Sequence, residues 1–153
     1  MRVYTYRRQF VSPGAVTALQ LATGATKPIA IVRAWCSQVG STTSAQTSIR
    51  LIRKTAAATV TAAVGTDFVD HDLSDPAASL QVGTALTGHT ATVEGTDGDI
   101  IIAEGFNVLN GWLYLPVPEE RIIVPAAGIV GVKFPVAPAA ATYEIGVTFG
   151  ELG

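Results

Sequence analysis

Five side chains with metal-binding chemistry fall between positions 67 and 75: Asp67, Asp70, His71, Asp72 and Asp75. Carboxylate oxygens at this density could ligate Ca²⁺, which takes about six to eight oxygen donors. The run lacks the central glycine and the closing glutamate of an EF-hand loop. It is read as a solvated acidic loop, and no metal is expected. Glu119 and Glu120, beside Arg121, could act as general acid and base. Adjacent strand residues point to opposite faces, whereas glycosidase carboxylates face each other across the scissile bond. The reading taken is a structural ion pair involving Arg121, with contact between subunits included. Cys36 is the single cysteine, so an intrachain disulfide is excluded. A nucleophilic role needs a nearby base, and His71 and His89 both stand in loop-like sequence, so Cys36 is expected as a small buried hydrophobe. The chain carries no P-loop, Rossmann fingerprint, nucleophile elbow or zincin motif. No enzyme activity and no cofactor are expected.

The elements that position these residues are set by an uncharged composition. The 153 residues are 48% hydrophobic and 14% charged, with a net charge of −2. Soluble domains average about 25% charged residues. One domain with a sizeable core is the simplest reading of this length. A sparsely charged surface suits a protein that packs against copies of itself. Nucleic-acid binding needs many cations on one face. Only Arg7-Arg8 and Arg50…Arg53-Lys54 cluster, so that class is set aside. Arg7-Arg8 fits an exposed strand edge, where charge discourages aggregation. The N-terminus lacks the apolar core of a signal peptide, and no run approaches the ~18 apolar residues of a membrane span. A soluble protein made in a cytoplasm, with no membrane partner, is expected.

The apolar pattern has the two-residue period of strands, cut by Gly, Pro and Asn. Residues 2–11 read as a first strand with Tyr4, Tyr6 and Phe10 on one face. Ser12-Pro13-Gly14 is a turn. Residues 15–22 are read as a short strand. Residues 29–38 form a strong one, with Ile29, Ile31, Arg33 and Trp35 opposite Ala30, Val32, Ala34 and Cys36. Residues 46–54 are read as its antiparallel partner. The stretch 56–97 is weakly patterned and reads as a surface insertion, with Asp75-Pro76 able to start a short helix. From 99 the pattern is regular again. Gly105 is expected at a bulge, and Asn110-Gly111 at a hairpin. Strands follow near Trp112–Leu115, Glu119–Val124, Gly128–Phe134 and Ala141–Gly150, with Pro116 and Pro118 kinking the crossing between the first two. About eight strands at roughly 8–12-residue spacing predict an all-β, antiparallel, jelly-roll-like sandwich in one domain, 1–153.

Phe106, Trp112 and Tyr114 could be core, interface or a sugar-stacking platform. The stretch Glu104-Gly-Phe-Asn-Val-Leu-Asn-Gly-Trp-Leu-Tyr-Leu-Pro-Val-Pro-Glu-Glu-Arg121, the block Lys27–Gln38, and the ending Phe149-Gly150-Glu151 resemble a family of small virion proteins of tailed bacteriophages. The resemblance covers about two-thirds of the chain and leaves 56–97 unmatched. It implies a jelly-roll decoration (cement) protein: a homotrimer on the capsid surface that clamps neighbouring major capsid protein subunits. Phe106, Trp112, Tyr114 and Arg121 are then expected at interfaces. Segment 56–97 or the N-terminal arm is expected to make inter-subunit or shell contacts, and its deletion to spare folding. The alternative is a tail-associated receptor- or glycan-binding module.

Overall fold

The computed structural model describes every residue except Ser12, Pro13, Ala15 and Ser41, so most of the expected turn at Ser12-Pro13-Gly14 lies outside the described residues. The described residues form twelve strands: β1 (Arg2–Val11), β2 (Thr17–Ala22), β3 (Ile29–Val39), β4 (Gln46–Ala56), β5 (Thr59–Ala62), β6 (Phe68–Asp70), β7 (Gly88–Val93), β8 (Thr96–Asn107), β9 (Trp112–Tyr114), β10 (Ile122–Val124), β11 (Ile129–Lys133) and β12 (Thr142–Glu151). Short 3-10 turns occupy Gly65–Asp67 and Pro118–Glu120. The fold is an all-β sandwich of two antiparallel sheets, compatible with a jelly roll. One sheet runs β10-β3-β12-β1-β6, with β9 also on β3, and the other runs β5-β7-β2-β11-β4-β8.

The core lies between the sheets. Tyr4, Tyr6, Ile145, Val147 and Phe149 from the first sheet meet Leu19, Leu21, Ile49, Leu51 and Val130 from the second. Aromatic packing concentrates at β1 and β12, where Tyr4 stacks on Phe149 at 5.6 Å and Tyr6 meets Phe68 edge-on at 5.3 Å. Strand β2 is buried along its whole length. Its polar Gln20 is accommodated because its amide donates to the Leu86 carbonyl at 2.6 Å and its oxygen accepts from the Ala58 amide at 2.9 Å. A buried amide left unpaired would cost about 1–3 kcal/mol.

Strict alternation in β3 fails at one residue. Arg33 pairs with Thr148 and Ile31 with Phe149, so Val32 is an extra, bulged residue. The bulge switches the inward phase, and Ile29, Ile31, Ala34 and Cys36 all reach the core.

Four sequence expectations are corrected. Strand β4 is not the partner of β3; it pairs with β11 and β8 in the opposite sheet, so the polar loop between them crosses the sandwich. Asn110-Gly111 does form a turn, with Gly111 at φ +75°. That turn also crosses between sheets, because β8 pairs with β4 and β9 with β3, so there is no hairpin. Gly105 pairs regularly with Ser48; the irregular register of β8 lies at 97–102 instead. No helix starts at Asp75-Pro76, where the chain is a bend followed by irregular backbone.

Segment 56–97 runs along the rim and is stitched into both sheets. Strand β6 pairs with β1, β7 pairs with β2, and Phe68 and Leu80 enter the core. Glu151, almost fully buried, holds the segment by accepting from the Ser79 amide at 2.5 Å and hydroxyl at 2.6 Å. Deleting 56–97 would strip strands from both sheets, contrary to the expectation that folding would survive. The N-terminus is likewise no free arm, since β1 pairs with β12 over ten residues.

Candidate interaction surface

Of the four residues expected at an interface, the structure withdraws two. Phe106 and Trp112 are buried in the core. Trp112 sits at the flank of the sandwich, where its indole Nε1 donates to Glu104 Oε2 at 2.6 Å and links β9 to β8 across the sheets. Tyr114 is half-buried and donates its hydroxyl to the Glu120 carbonyl at 3.1 Å. Arg121 is half-buried and has no carboxylate partner among the described residues; its Nε is buried and unbonded. The expected ion pair is therefore absent within the chain. Glu119 and Glu120 are exposed on the 3-10 turn rather than on a strand.

The apolar surface lies beside these residues. Strands β9 and β10 lie end to end along the same edge of β3, opposite 34–36 and 29–31. Their inward residues, Trp112, Ile122 and Val124, are core. Their outward residues and connection expose Leu113 (54%), Leu115 (65%), Val117 (55%) and Ile123 (45%). Prolines 116 and 118 leave this connection without amide donors there; Val117 between them is extended, and Pro118 opens the 3-10 turn. The result is a stiff ridge of four aliphatic side chains. On the opposite flank Val69 is 56% exposed and Leu73 97% exposed at a loop tip.

Next to the ridge, Trp35 lies across Gly146 of the neighbouring strand. A Cβ on Gly146 would sit 2.2 Å from Trp35 Cζ2, so only glycine admits the ring there. The Arg33 guanidinium covers the ring at 4.7 Å. Sandwiched in this way, Trp35 presents no free aromatic face for stacking a sugar.

The densest polar cluster is one that sequence reasoning did not pick out. On the outer side of the second sheet the Lys54 ammonium, with its side chain fully buried, pairs with Asp97 at 2.8 Å and Glu94 at 3.4 Å. Lys133 pairs with the same carboxylates at 2.6 Å and 3.2 Å. Glu94 also accepts from the Thr17 amide at 2.5 Å and hydroxyl at 2.8 Å. Gly131 leaves room for the Lys54 stem, 3.4 Å from where a Cβ would stand. Burial pushes the Glu94 carboxyl up, but the Thr17 and Lys133 bonds and the Lys54 charge outweigh it and hold the group below its ordinary range. Asp97 behaves alike: burial opposes, and the two lysines prevail. Two cations and two anions leave the cluster neutral. It pins β2, β4, β8 and β11 together and has no charge to spare for a ligand. Lys54 and Lys133 sit on readable strands, but Glu94 and Asp97 come from the weakly patterned stretch, so nothing in the spacing joined them.

The acidic loop is dispersed among basic partners. Asp67 pairs with Arg8, Asp75 with Arg2 at 3.6 Å, and Asp72 accepts from the Ser74 amide at 3.0 Å. Among the described residues no group of three or more His, Cys, Asp or Glu is placed to hold an ion. His71 Nε2 stands 2.8 Å from Thr5 Oγ1, tying the loop to β1. Cys36 is buried, and that burial pushes its thiol up to about 12. No helix is long and apolar enough to cross a membrane. No protein-family profile matches the chain, and neither a curated protein nor a solved structure does.

Proposed function

We propose that this chain is a decoration protein of a tailed-bacteriophage head, a jelly-roll-type sandwich that assembles as a homotrimer and binds major capsid protein on the outer surface. The carrying observation is the ridge of Leu113, Leu115, Val117 and Ile123, four exposed aliphatic residues on one flank of a sparsely charged sandwich. Burying apolar surface yields about 25 cal/mol per Å². A few half-exposed side chains on one chain thus give only a weak contact. Three copies engaging together convert weak contacts into high avidity. The fold itself serves as a rigid block, and the polar clusters are spent internally on holding it. Arg121, half-buried beside the ridge and without a carboxylate partner among the described residues, adds a guanidinium to this flank.

Co-sedimentation with phage heads stripped of this protein tests the reading. Wild-type chain is expected to pellet with the heads. A Leu115→Asp/Val117→Asp variant changes two exposed positions, so it should keep its stability within about 1 kcal/mol and stay in the supernatant. Equal pelleting of the double variant, or wild type that never pellets, would refute it.

A further inference from the structure

Three positions carry the chemistry for ring closure of a side chain onto its own backbone. They are the two asparagines, Asn107 and Asn110, and the one Asp-Gly step, Asp97-Gly98. In this reaction the backbone nitrogen of the next residue attacks the side-chain carbonyl carbon and closes a five-membered imide. Asparagine then loses ammonia; aspartate loses water, which requires its neutral acid. The attack needs a side chain free to turn, a next residue that lets the atoms approach, and an amide that is not locked in a ladder. A following glycine meets the second need, since it has no Cβ.

The fold closes two of the three. Asn107 is bonded at both ends of its amide: Nδ2 donates to Ser44 Oγ at 3.0 Å, and Oδ1 accepts from the Leu109 amide at 2.9 Å. The next residue, Val108, is β-branched and fully buried, and its amide donates to the Ala45 carbonyl at 3.0 Å. Asp97 is held ionised by Lys54 at 2.8 Å and Lys133 at 2.6 Å, so its neutral acid is scarce. Asn110 differs on every count. It is exposed, and its side chain has no hydrogen bond among the described residues. Gly111 follows it at φ +75°. The Gly111 amide bonds the Asn107 carbonyl at 3.2 Å and shares that oxygen with the Asn110 amide, which stands at 3.0 Å. One long, shared bond slows the attack by about tenfold at most.

We infer that Asn110 is a self-modifying site: in the folded protein its side chain closes onto the Gly111 nitrogen and reopens as aspartate or isoaspartate. The Gly111 nitrogen gives its proton to solvent base and bonds Asn110 Cγ. The Cγ–Nδ2 bond breaks, and Nδ2 leaves as ammonia with a proton from water. A water molecule then opens either carbonyl of the imide. The net change is one water taken up and one ammonia released. The new carboxylate lies in the cleft that Asn110 lines together with Arg33, Trp35 and Leu113. Arg33 lies over the Trp35 ring and has no carboxylate partner among the described residues, so the product gains a cation as neighbour. Isoaspartate also adds a methylene to the backbone of the turn between β8 and β9. The turn has little slack for it, since a Cβ on Gly111 would stand 3.0 Å from the Cys36 carbonyl oxygen. The inference does not rest on the phage reading.

Native wild type, incubated in mildly alkaline buffer, is expected to yield a more acidic form on ion exchange, with one ammonia released per chain converted. Peptide mapping should place aspartate and isoaspartate at Asn110, with Asp97 and Asn107 unchanged. The rate should fall within about tenfold of that in the urea-unfolded chain. Asn110→Ser removes the reacting amide and keeps a turn residue at an exposed position, so this variant should melt like wild type and form no acidic species. A native chain that stays unconverted while the unfolded chain reacts would overturn the inference. So would equal acidification of Asn110→Ser, or isoaspartate that maps to Asp97 or Asn107 instead.

Discussion

Replacing Lys54 with Met tests the buried ion cluster, the feature that joins four strands of the second sheet. The substitution keeps the aliphatic stem over Gly131 and removes the charge that meets Asp97 at 2.8 Å and Glu94 at 3.4 Å. Removing one partner of a fully buried pair costs about 3–5 kcal/mol. Here the carboxylates are about a third exposed, and Lys133 still meets both, at 2.6 Å and 3.2 Å. Solvent and the remaining cation reduce the expected loss to about 1–3 kcal/mol. For a chain of this size 1 kcal/mol moves Tm by about 2–4 °C, so the variant should melt about 2–12 °C below wild type at pH 7. The sign with pH is set by the carboxyls. Glu94 and Asp97 are held below their ordinary values in the folded state. Their contribution is therefore full above the unfolded values, about 4.3 and 3.9, and is lost as pH falls through the folded ones. Below that point wild type carries a buried ammonium without partners, and the gap between the two proteins should close or invert. Thermal melts followed by circular dichroism at pH 7 and near pH 2.5 read both effects. Equal melting at pH 7, or a gap that widens in acid, would refute this account of the cluster.

Two further substitutions or probes address the first sheet. Gly146→Ala places a Cβ 2.2 Å from Trp35 Cζ2, so it should cost about 1–3 kcal/mol and change the tryptophan emission; in a Trp35→Ala background the cost should vanish, and a cost that persisted would sink the argument. Cys36, its thiol pushed up to about 12 by burial, should react with a disulfide reagent at pH 8 at least about a thousandfold more slowly in the native than in the unfolded chain. Labelling at the unfolded rate in native buffer would contradict its placement.

Strand positions were readable where a strand is half-buried. In β1 the sequence separates Tyr4, Tyr6 and Phe10 from Val3, Thr5, Gln9 and Val11, but the alternation is imperfect and left the buried face open; it is the aromatic face that meets the core. Pairing was not readable, because tight-turn chemistry specifies a change of direction and not its destination. Asn110-Gly111 reverses the chain yet leads from one sheet to the other. The bulge at Val32 left no mark, since Ile31, Val32 and Arg33 suit a regular strand equally well. Segment 56–97 hid three strands because its buried residues are small or solitary: Ala58, Val60 and Ala91 pack one edge, and Phe68 alone anchors β6. Among the interface candidates, aromatic character could not separate core from surface. Phe106 and Trp112 went inward, while the aliphatic residues between and beyond the prolines were left outside.

The measurement closest to the central claim is a cryo-electron microscopy reconstruction of the mature phage head that carries this protein. The account predicts three sandwiches per site on the outer shell, with the Leu113–Ile123 flank against capsid subunits. A shell with no density for this chain, or density in which that flank faces solvent and the copies stand apart, would contradict it.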